Sequence, residues 1–413
     1  MDVSGFPIFP GDLFSDELLA DSNATFRSLR ELGDAVWLPR LNMFAVARFK
    51  DVQAGLRAAD TLISGKGVSV NELMNAADSP DPVSTLTTDG EVHHQLKRTV
   101  MKPLMPAALA SLRAQIQREA TVIVDTMADG REFEAMSTLA SHVPVKIVAD
   151  MVGLKGVSHR QLMQWASAIF DAFGPADRAR TSAALPAIQD FVEHGMQLTH
   201  DDVVPGGWAD SLFLAAESGE ITVQAARNLV FDYALPSLDT TILATGELLY
   251  RMATEPGALD AVRSRPTLIP GVVNECVRLA SPLRGFTRHC AQDFALSQST
   301  LPAGSRVWLL NASANRDERH YPDPDRFDIE RNPRDHLGWG HGVHSCLGIH
   351  LARLELEIIL ETLVTRVDSI QAGNPKRLIN NAAQGYAMLP LRLHRARAKP
   401  TGARDPGPSA NPH

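Results

Sequence analysis

Cys346 lies in the segment Trp339–Gly348, WGHGVHSCLG, directly before a stretch with apolar residues at Leu351, Leu354, Ile358 and Leu363. Those three- to five-residue intervals describe an amphipathic helix. A sulfur placed at a helix N-terminus is stabilised as thiolate by backbone N–H groups and the helix dipole, and a thiolate is the form that binds metals. Gly340, Gly342 and Gly348 remove side chains where a flat group would need close approach to the backbone, and a planar macrocycle meets that requirement. An inert buried thiol, a zinc ligand and a catalytic nucleophile are the competing readings. Zinc needs further Cys or His ligands at usable spacing, which the neighbourhood of Cys346 lacks. A nucleophile needs a His base and an oxyanion site, which the sequence leaves open.

Two other sets of residues could support such chemistry. Glu275 and Arg278 in NECVRL stand at i and i+3 on one helix face; in isolation such a pair contributes about 0.2–0.5 kcal/mol. The stretch 234–241, ALPSLDTT, sets an acid, Asp239, beside a hydroxyl, Thr240. An acid leading to a hydroxyl can pass protons to a bound reactant. The alternative is a helix-interior threonine bonded to the carbonyl four residues earlier. Pro236, in the same stretch, removes a backbone N–H and is expected to kink the helix at a cost of about 3 kcal/mol.

With these residues in view, the chain resembles the cytochrome P450 superfamily over about residues 15–395. The cysteine loop matches that family's haem-binding signature, aromatic-Gly-x-Gly-x-His-x-Cys-x-Gly, with Trp339 where Phe is usual. The order of the Glu-x-x-Arg helix, the segment SANRDERHYPDPDRFDIER and the cysteine loop is similar as well. The resemblance implies a mainly α fold, a helical prism with a minor β region, holding haem b (iron protoporphyrin IX). Cys346 is then the iron ligand, whose electron donation favours O–O cleavage, with Trp339, Gly340 and Gly348 around it. Two haem propionates would need buried donors, and His94, Arg98, Arg288 and His344 are the expected ones. Glu275, Arg278 and Arg331 become a structural lock, and Asp239 and Thr240 the route for protons to dioxygen.

The implied activity is monooxygenation of a small aromatic or hydrophobic substrate, by hydroxylation or oxidative O-demethylation. A haem peroxygenase or dehydratase and a haem ligand sensor are the alternatives. The chain has three cysteines, Cys276, Cys290 and Cys346, too few for an iron–sulfur cluster. A separate ferredoxin and its reductase are therefore the expected electron source, with Lys97, Arg334 and Arg353 flanking the docking face. FDAFGPADRAR, SGKGVSV and NNAAQGYAMLPLRL resemble bacterial enzymes that oxidise para-substituted benzoates. By that resemblance the substrate residues are Lys66, Val68, Ser69, Phe170, Phe173, Phe231, Asp232, Leu235, Leu283, Phe286 and Tyr386. Asp232 would repel a carboxylate unless protonated or paired, for instance with Lys66, so a neutral or amine aromatic competes with a benzoate.

The elements that must position these residues are mostly helical. Apolar periodicity predicts helices over 104–127, 136–152, 183–200, 222–254 and 346–367, and a hairpin over 35–49 with its turn at 40–42. Residues 63–90, rich in Gly, Ser, Asp and Pro, read as a functional or solvated loop. We expect one haem domain over 1–397 and a disordered tail over 398–413. A net charge of −8 without a long basic stripe argues against nucleic-acid binding. The most apolar stretch, Leu229 to Tyr250, contains Asp232, Asp239 and Glu247, and a central Asp costs about 2.5–3.5 kcal/mol in lipid. Without a signal-like N-terminus, a cytoplasmic protein is expected.

Overall fold

The computed structural model describes residues 3–75 and 84–396. The expected tail, and residues 76–83 of the 63–90 loop, lie outside the described residues. The architecture is mainly α with a minor β region, as expected. Its axis is the helix Val223–Thr254, 32 residues long and buried on nearly every side. At 1.5 Å per residue it spans about 48 Å. The Thr222 hydroxyl caps it by accepting from the Ala225 N–H at 3.0 Å. The helices Ser141–Val152, His159–Ala172, Trp208–Glu217, Ile269–Ala280 and Ile349–Arg366 pack against it. The helix continues through Pro236, the position at which the sequence suggests a kink.

Helix limits shift where proline or capping chemistry intervenes. The expected helix 104–127 divides into Pro106–Leu109, a 3-10 turn at Ala110–Leu112 and Arg113–Met127, because Pro103 and Pro106 cannot donate the bonds a continuous helix needs. The region 136–152 opens with a π-helical turn, Met136–Ala140, before Ser141–Val152. The helix placed over 183–200 runs Ala179–Gln197 instead, and Thr199 starts a separate capped turn. The hairpin forms as expected: Val36–Leu38 pairs antiparallel with Met43–Val46, and Asn42 takes φ 51° in the turn.

That hairpin opens a five-stranded sheet in the order Val36–Leu38, Met43–Val46, Arg306–Leu309, Phe286–Cys290, Leu62–Ile63. Strand Phe286–Cys290 carries Arg288 and enters the sheet from Gly285. A Cβ at Gly285 would stand 1.9 Å from the Leu309 carbonyl oxygen, at φ +153°, so only glycine fits. A three-stranded sheet of Asp129–Glu134, Pro390–Arg395 and Val367–Ala372 closes the other end of the chain.

The expected lock is present. Arg278 donates from Nε and Nη2 to both Glu275 oxygens at 2.7 and 2.8 Å, and both side chains have 0% exposure. Arg331 reaches the same carboxylate at 3.2 Å. Arg278 Nη1 donates to the carbonyls of Asn315 and Pro324, each at 2.7 Å. Removing one partner leaves a buried charge uncompensated. Glu275→Ala should therefore cost about 3–5 kcal/mol in urea unfolding; a loss below about 1 kcal/mol would show the pair to be dispensable.

Candidate active site

The cysteine loop is two 3-10 turns, Leu337–Trp339 and Gly342–His344, set at φ +67° at Gly340 and +73° at Gly342. A Cβ at Gly342 would meet the Leu56 carbonyl oxygen at 2.5 Å, which fixes glycine there. The Cys346 N–H donates to the Trp339 carbonyl at 2.8 Å, pinning the loop shut. The following helix begins at Ile349 with Gly348 as its N-cap, so Cys346 precedes the helix rather than starting it. The expectation of a helix-acidified thiol is corrected accordingly. Burial pushes the Cys346 thiol up, opposed by the Gly348 N–H, Lys97 and Arg353. The residue is nonetheless exposed in the loop.

Around the sulfur, the Trp339 ring has the Arg353 guanidinium 5.9 Å from its centroid. The indole Nε1 is buried without a partner among the described residues. Arg288 is 4% exposed, and its one side-chain hydrogen bond among the described residues goes to the Thr287 carbonyl at 2.8 Å. Burial draws its pKa down to about 10. A buried, under-paired guanidinium of this kind fits a carboxylate ligand. His344 lies 3.5 Å from Asp89 and 3.3 Å from the Ser64 hydroxyl.

The helix Gly90–Met101 corrects one expectation. His94 and Arg98 turn outward, with side chains 49% and 65% exposed, and Arg98 pairs with Glu91 at 3.0 Å. The residues facing the cysteine loop are one position earlier. His93 is buried, its Nδ1 lies 2.9 Å from the Thr85 carbonyl oxygen, and its Nε2 lies 3.2 Å from that of Val343. Lys97 Nζ also donates to the Val343 carbonyl. The signal was present in the helical period: Leu96 and Val100 mark the inward face, and His93 shares their phase while His94 and Arg98 do not.

On the central helix, the Thr240 hydroxyl donates to the Pro236 carbonyl at 2.6 Å, the i−4 bond weighed above. Its hydrogen is thereby committed, and its oxygen remains free to accept. Ser237 bonds the Tyr233 carbonyl in the same way at 2.6 Å. Burial, and secondarily the charge of Asp171, pushes the Asp239 carboxyl up to about 7. A carboxyl poised there can both hold and release a proton near neutrality.

The expected substrate residues divide. Val68, Ser69, Phe173 and Phe286 come together. The Ser69 hydroxyl donates to the Phe173 carbonyl at 3.0 Å, the Thr287 N–H donates to the Val68 carbonyl at 2.8 Å, and the Phe173 and Phe286 rings are 6.2 Å apart. Phe170 meets Phe173 edge-on at 6.3 Å. Leu235 is buried, and Leu283 packs against the same core. Three residues do not join them. Phe231 is enclosed by Phe191 at 4.5 Å and Trp165 at 6.2 Å. Tyr386 packs on Tyr250 at 5.1 Å beneath Arg377, beside the helix beyond Thr240. Lys66 is exposed, with its carbonyl held by Arg306 at 2.7 Å, and it does not pair with Asp232. The Asp232 partners are Ser84 and Thr85, which sequence reasoning missed.

A mainly helical body with an exposed cysteine presented on a glycine-shaped loop is the architecture of a haem-thiolate protein. The cytochrome P450 family profile matches residues 145–393. Cytochrome P450 CYP199A2 of Rhodopseudomonas palustris is 32% identical over 392 residues, covering 94% of this chain and 95% of the relative. Linalool 8-monooxygenase of Pseudomonas putida is 27% identical, over 92% and 96% of the two chains. The solved structure of CYP108D1 from Novosphingobium aromaticivorans superposes with a TM-score of 0.78 at 25% identity, covering 95% of this chain and 100% of that one. The chain belongs to the cytochrome P450 family.

It is a P450 monooxygenase, and its cofactor is haem b. The under-paired Arg288 and the accessible Cys346 fit that group. When bound, the haem supplies dioxygen activation. Cys346 would hold the iron, and Arg288, His344, His93 and Lys97 would be the groups nearest its carboxylates. His93→Ala and Lys97→Ala should lower the haem bound per protein, read as the Soret-to-280 nm absorbance ratio, whereas His94→Ala and Arg98→Ala should leave it unchanged. The reverse pattern would show that the helix turns in the holoprotein.

Proposed function

We propose that this enzyme oxidises a small neutral or cationic aromatic molecule, by hydroxylation or O-demethylation, with electrons from a ferredoxin and its reductase. The carrying observation is the state of Asp232. Its carboxylate is occupied by the chain's own donors, and the expected substrate cation, Lys66, is exposed and unpaired with it. Residues 76–83 of the sequence add two Asp and no Lys or Arg. A carboxylate substrate would thus be desolvated without a partner, which is costly. The edge-on contacts among Phe170, Phe173 and Phe286 suit an aromatic ring.

The overall reaction inserts one oxygen atom into a C–H bond and reduces the other to water, consuming two electrons and two protons. For an aryl methyl ether, the hydroxylated methyl group collapses to phenol and formaldehyde. Asp239 holds the proton, and the accepting oxygen of Thr240 orients whatever donor occupies the cleft. On the outer side, a groove of about 460 Å³ is bordered by His94, Lys97, Arg98 and Lys102, with Met101 and Met105 as its apolar part. Arg98 and Lys102 are paired there with Glu91 and Glu220 at 3.0 and 2.9 Å, whereas Lys97 adjoins the cysteine loop, and a cation at that edge suits an acidic electron carrier. We read residues 1–397 as one haem domain.

The substrate class is tested by spin-state titration with para-methoxybenzoates, neutral aryl ethers and aryl amines. Neutral or cationic ligands should give the high-spin shift; a shift by carboxylates alone would overturn the reading.

Proton delivery is tested by pH. The Asp239 carboxyl, at about 7, is protonated below neutrality, so coupled turnover should fall as pH rises through about 7, and Asp239→Asn should flatten that profile. The same group favours the folded state most at low pH. Between 3.8 and about 7 the folded chain holds a proton that the unfolded chain releases, so stability declines as pH rises across that window. Thr240→Ala should divert reducing equivalents to peroxide. Full activity of Thr240→Ala with hydrogen peroxide alone would favour a peroxygenase.

A further inference from the structure

Asp232 sits on the central helix, two turns before Asp239. Among the described residues, the partners of its carboxylate all come from one short segment. The Ser84 hydroxyl donates to Oδ1 at 2.8 Å, and the Thr85 N–H and hydroxyl donate to Oδ2 at 2.8 and 2.7 Å. A carboxylate only accepts, so three converging donors suit its ionised form. Burial pushes this carboxyl up, and the Thr85 and Ser84 bonds oppose that push.

The segment is compact in itself. The Leu86 N–H donates to the Ser84 hydroxyl oxygen at 3.0 Å, and the Thr88 hydroxyl donates to the Ser84 carbonyl at 2.9 Å. Its far end is tied to the strand side, where Asp89 accepts from the Ser64 and Gly65 N–H groups at 2.9 and 2.6 Å. Between these ties, the Thr85 carbonyl addresses His93 Nδ1 at 2.9 Å. The other ring nitrogen faces the Val343 carbonyl at 3.2 Å, and the His344 ring lies 4.2 Å away.

A neutral imidazole has one N–H. Two carbonyl oxygens face the two nitrogens of His93, so the Thr85 carbonyl on the Nδ1 side competes for the ring proton with the acceptors on the Nε2 side, the Val343 carbonyl and, with haem bound, its carboxylate. Where Thr85 stands decides which of them keeps it.

We infer that Asp232 is a positioning residue: by fixing Ser84 and Thr85 to the central helix, it holds the Thr85 carbonyl against His93 and thereby sets the ring that faces the Cys346 loop. The role differs from that of a substrate-binding acid. It couples residue 232 to the loop at 343–346 through three successive contacts, Asp232–Thr85, Thr85–His93 and His93–Val343, with no substrate among them.

The test uses the holoprotein without substrate, reduced and carbon monoxide-bound so that it is diamagnetic. Asp232→Leu should speed amide hydrogen exchange at Thr85 and Leu86 by about tenfold or more, the scale set by losing hydrogen bonds to a charged group. It should also move the ¹⁵N resonances of His93 away from the Nδ1–H pattern. Asp232→Asn, with one accepting oxygen, should fall between Leu and the parent. Thr85→Val should slacken the same amides in the parent and add little in the Asp232→Leu background, because the two residues act as a pair. Should Asp232→Leu fail to fold, Asp232→Asn and Thr85→Val carry the test.

Unchanged exchange at residues 85 and 86, or unmoved His93 resonances, overturns the inference. So does an Asp232→Asn protein that gains carboxylate binding while those amides stay protected, since Asp232 would then face the ligand. None of the exchange or ¹⁵N readouts depends on the substrate, so a carboxylate-only substrate range would defeat the proposed function and leave this inference standing.

Discussion

The cysteine loop depends on a guanidinium that has no access to water. Arg278 must satisfy its donors within the protein, and it does so with Glu275 and the carbonyls of Asn315 and Pro324. Asn315 then continues the chain. Its Nδ2 donates to the Ser281 hydroxyl at 2.8 Å and its Oδ1 accepts from the Leu337 N–H at 2.7 Å. Leu337 opens the turn that ends at Trp339, whose carbonyl holds the Cys346 N–H. A buried ion pair is weak evidence for stability, because desolvation offsets the Coulomb gain. Here its use is geometric: it fixes the path that delivers the sulfur.

The central helix meets a different constraint. It is buried on nearly all sides, so polar groups on it need internal partners. Ser237, Thr240 and Thr245 meet this by bonding the carbonyl four residues earlier, at 2.6, 2.6 and 2.8 Å. Asp232 draws its donors from a distant segment, and Glu247 pairs with Arg251 at 2.8 Å. Asp239 has only burial and a distant like charge acting on it, so its carboxyl rises toward neutrality while Glu247 stays paired. Among the described residues, therefore, Asp239 is the acid of this helix left without a donor, and that is what lifts its carboxyl toward neutrality.

Much of this was legible in the sequence, and the misreadings share a cause. The Trp339–Gly348 loop, the Glu275–Arg278 pair and the hairpin at 36–46 are local patterns whose geometry follows from residue type and spacing. The adjacent histidines of HHQLKR were separable only by asking which one shares the phase of Leu96 and Val100. One residue is 100° of helix, enough to exchange a buried ring for an exposed one. Helix limits moved at Pro103 and Pro106 and at the Thr199 cap. Phe231 and Tyr386 are aromatic and buried, yet their neighbours are other core rings, a fact set by tertiary packing that no spacing rule encodes.

The pairing of Lys66 with Asp232 failed for a reason that bears on specificity. Opposite charges suggest a partnership, but a long, strongly hydrated ammonium loses more by burial than short hydroxyl and amide donors do. Ser84 and Thr85 reach the carboxylate at lower cost and leave Lys66 in solvent. The outcome divides the interior electrically. The guanidinium of Arg288 is a buried positive charge beside the cysteine loop's end of the interior, while the carboxylate of Asp232 is closed off by donors of its own chain. A ligand entering there meets rings and aliphatic groups, so its fit is decided by shape and by what it need not desolvate.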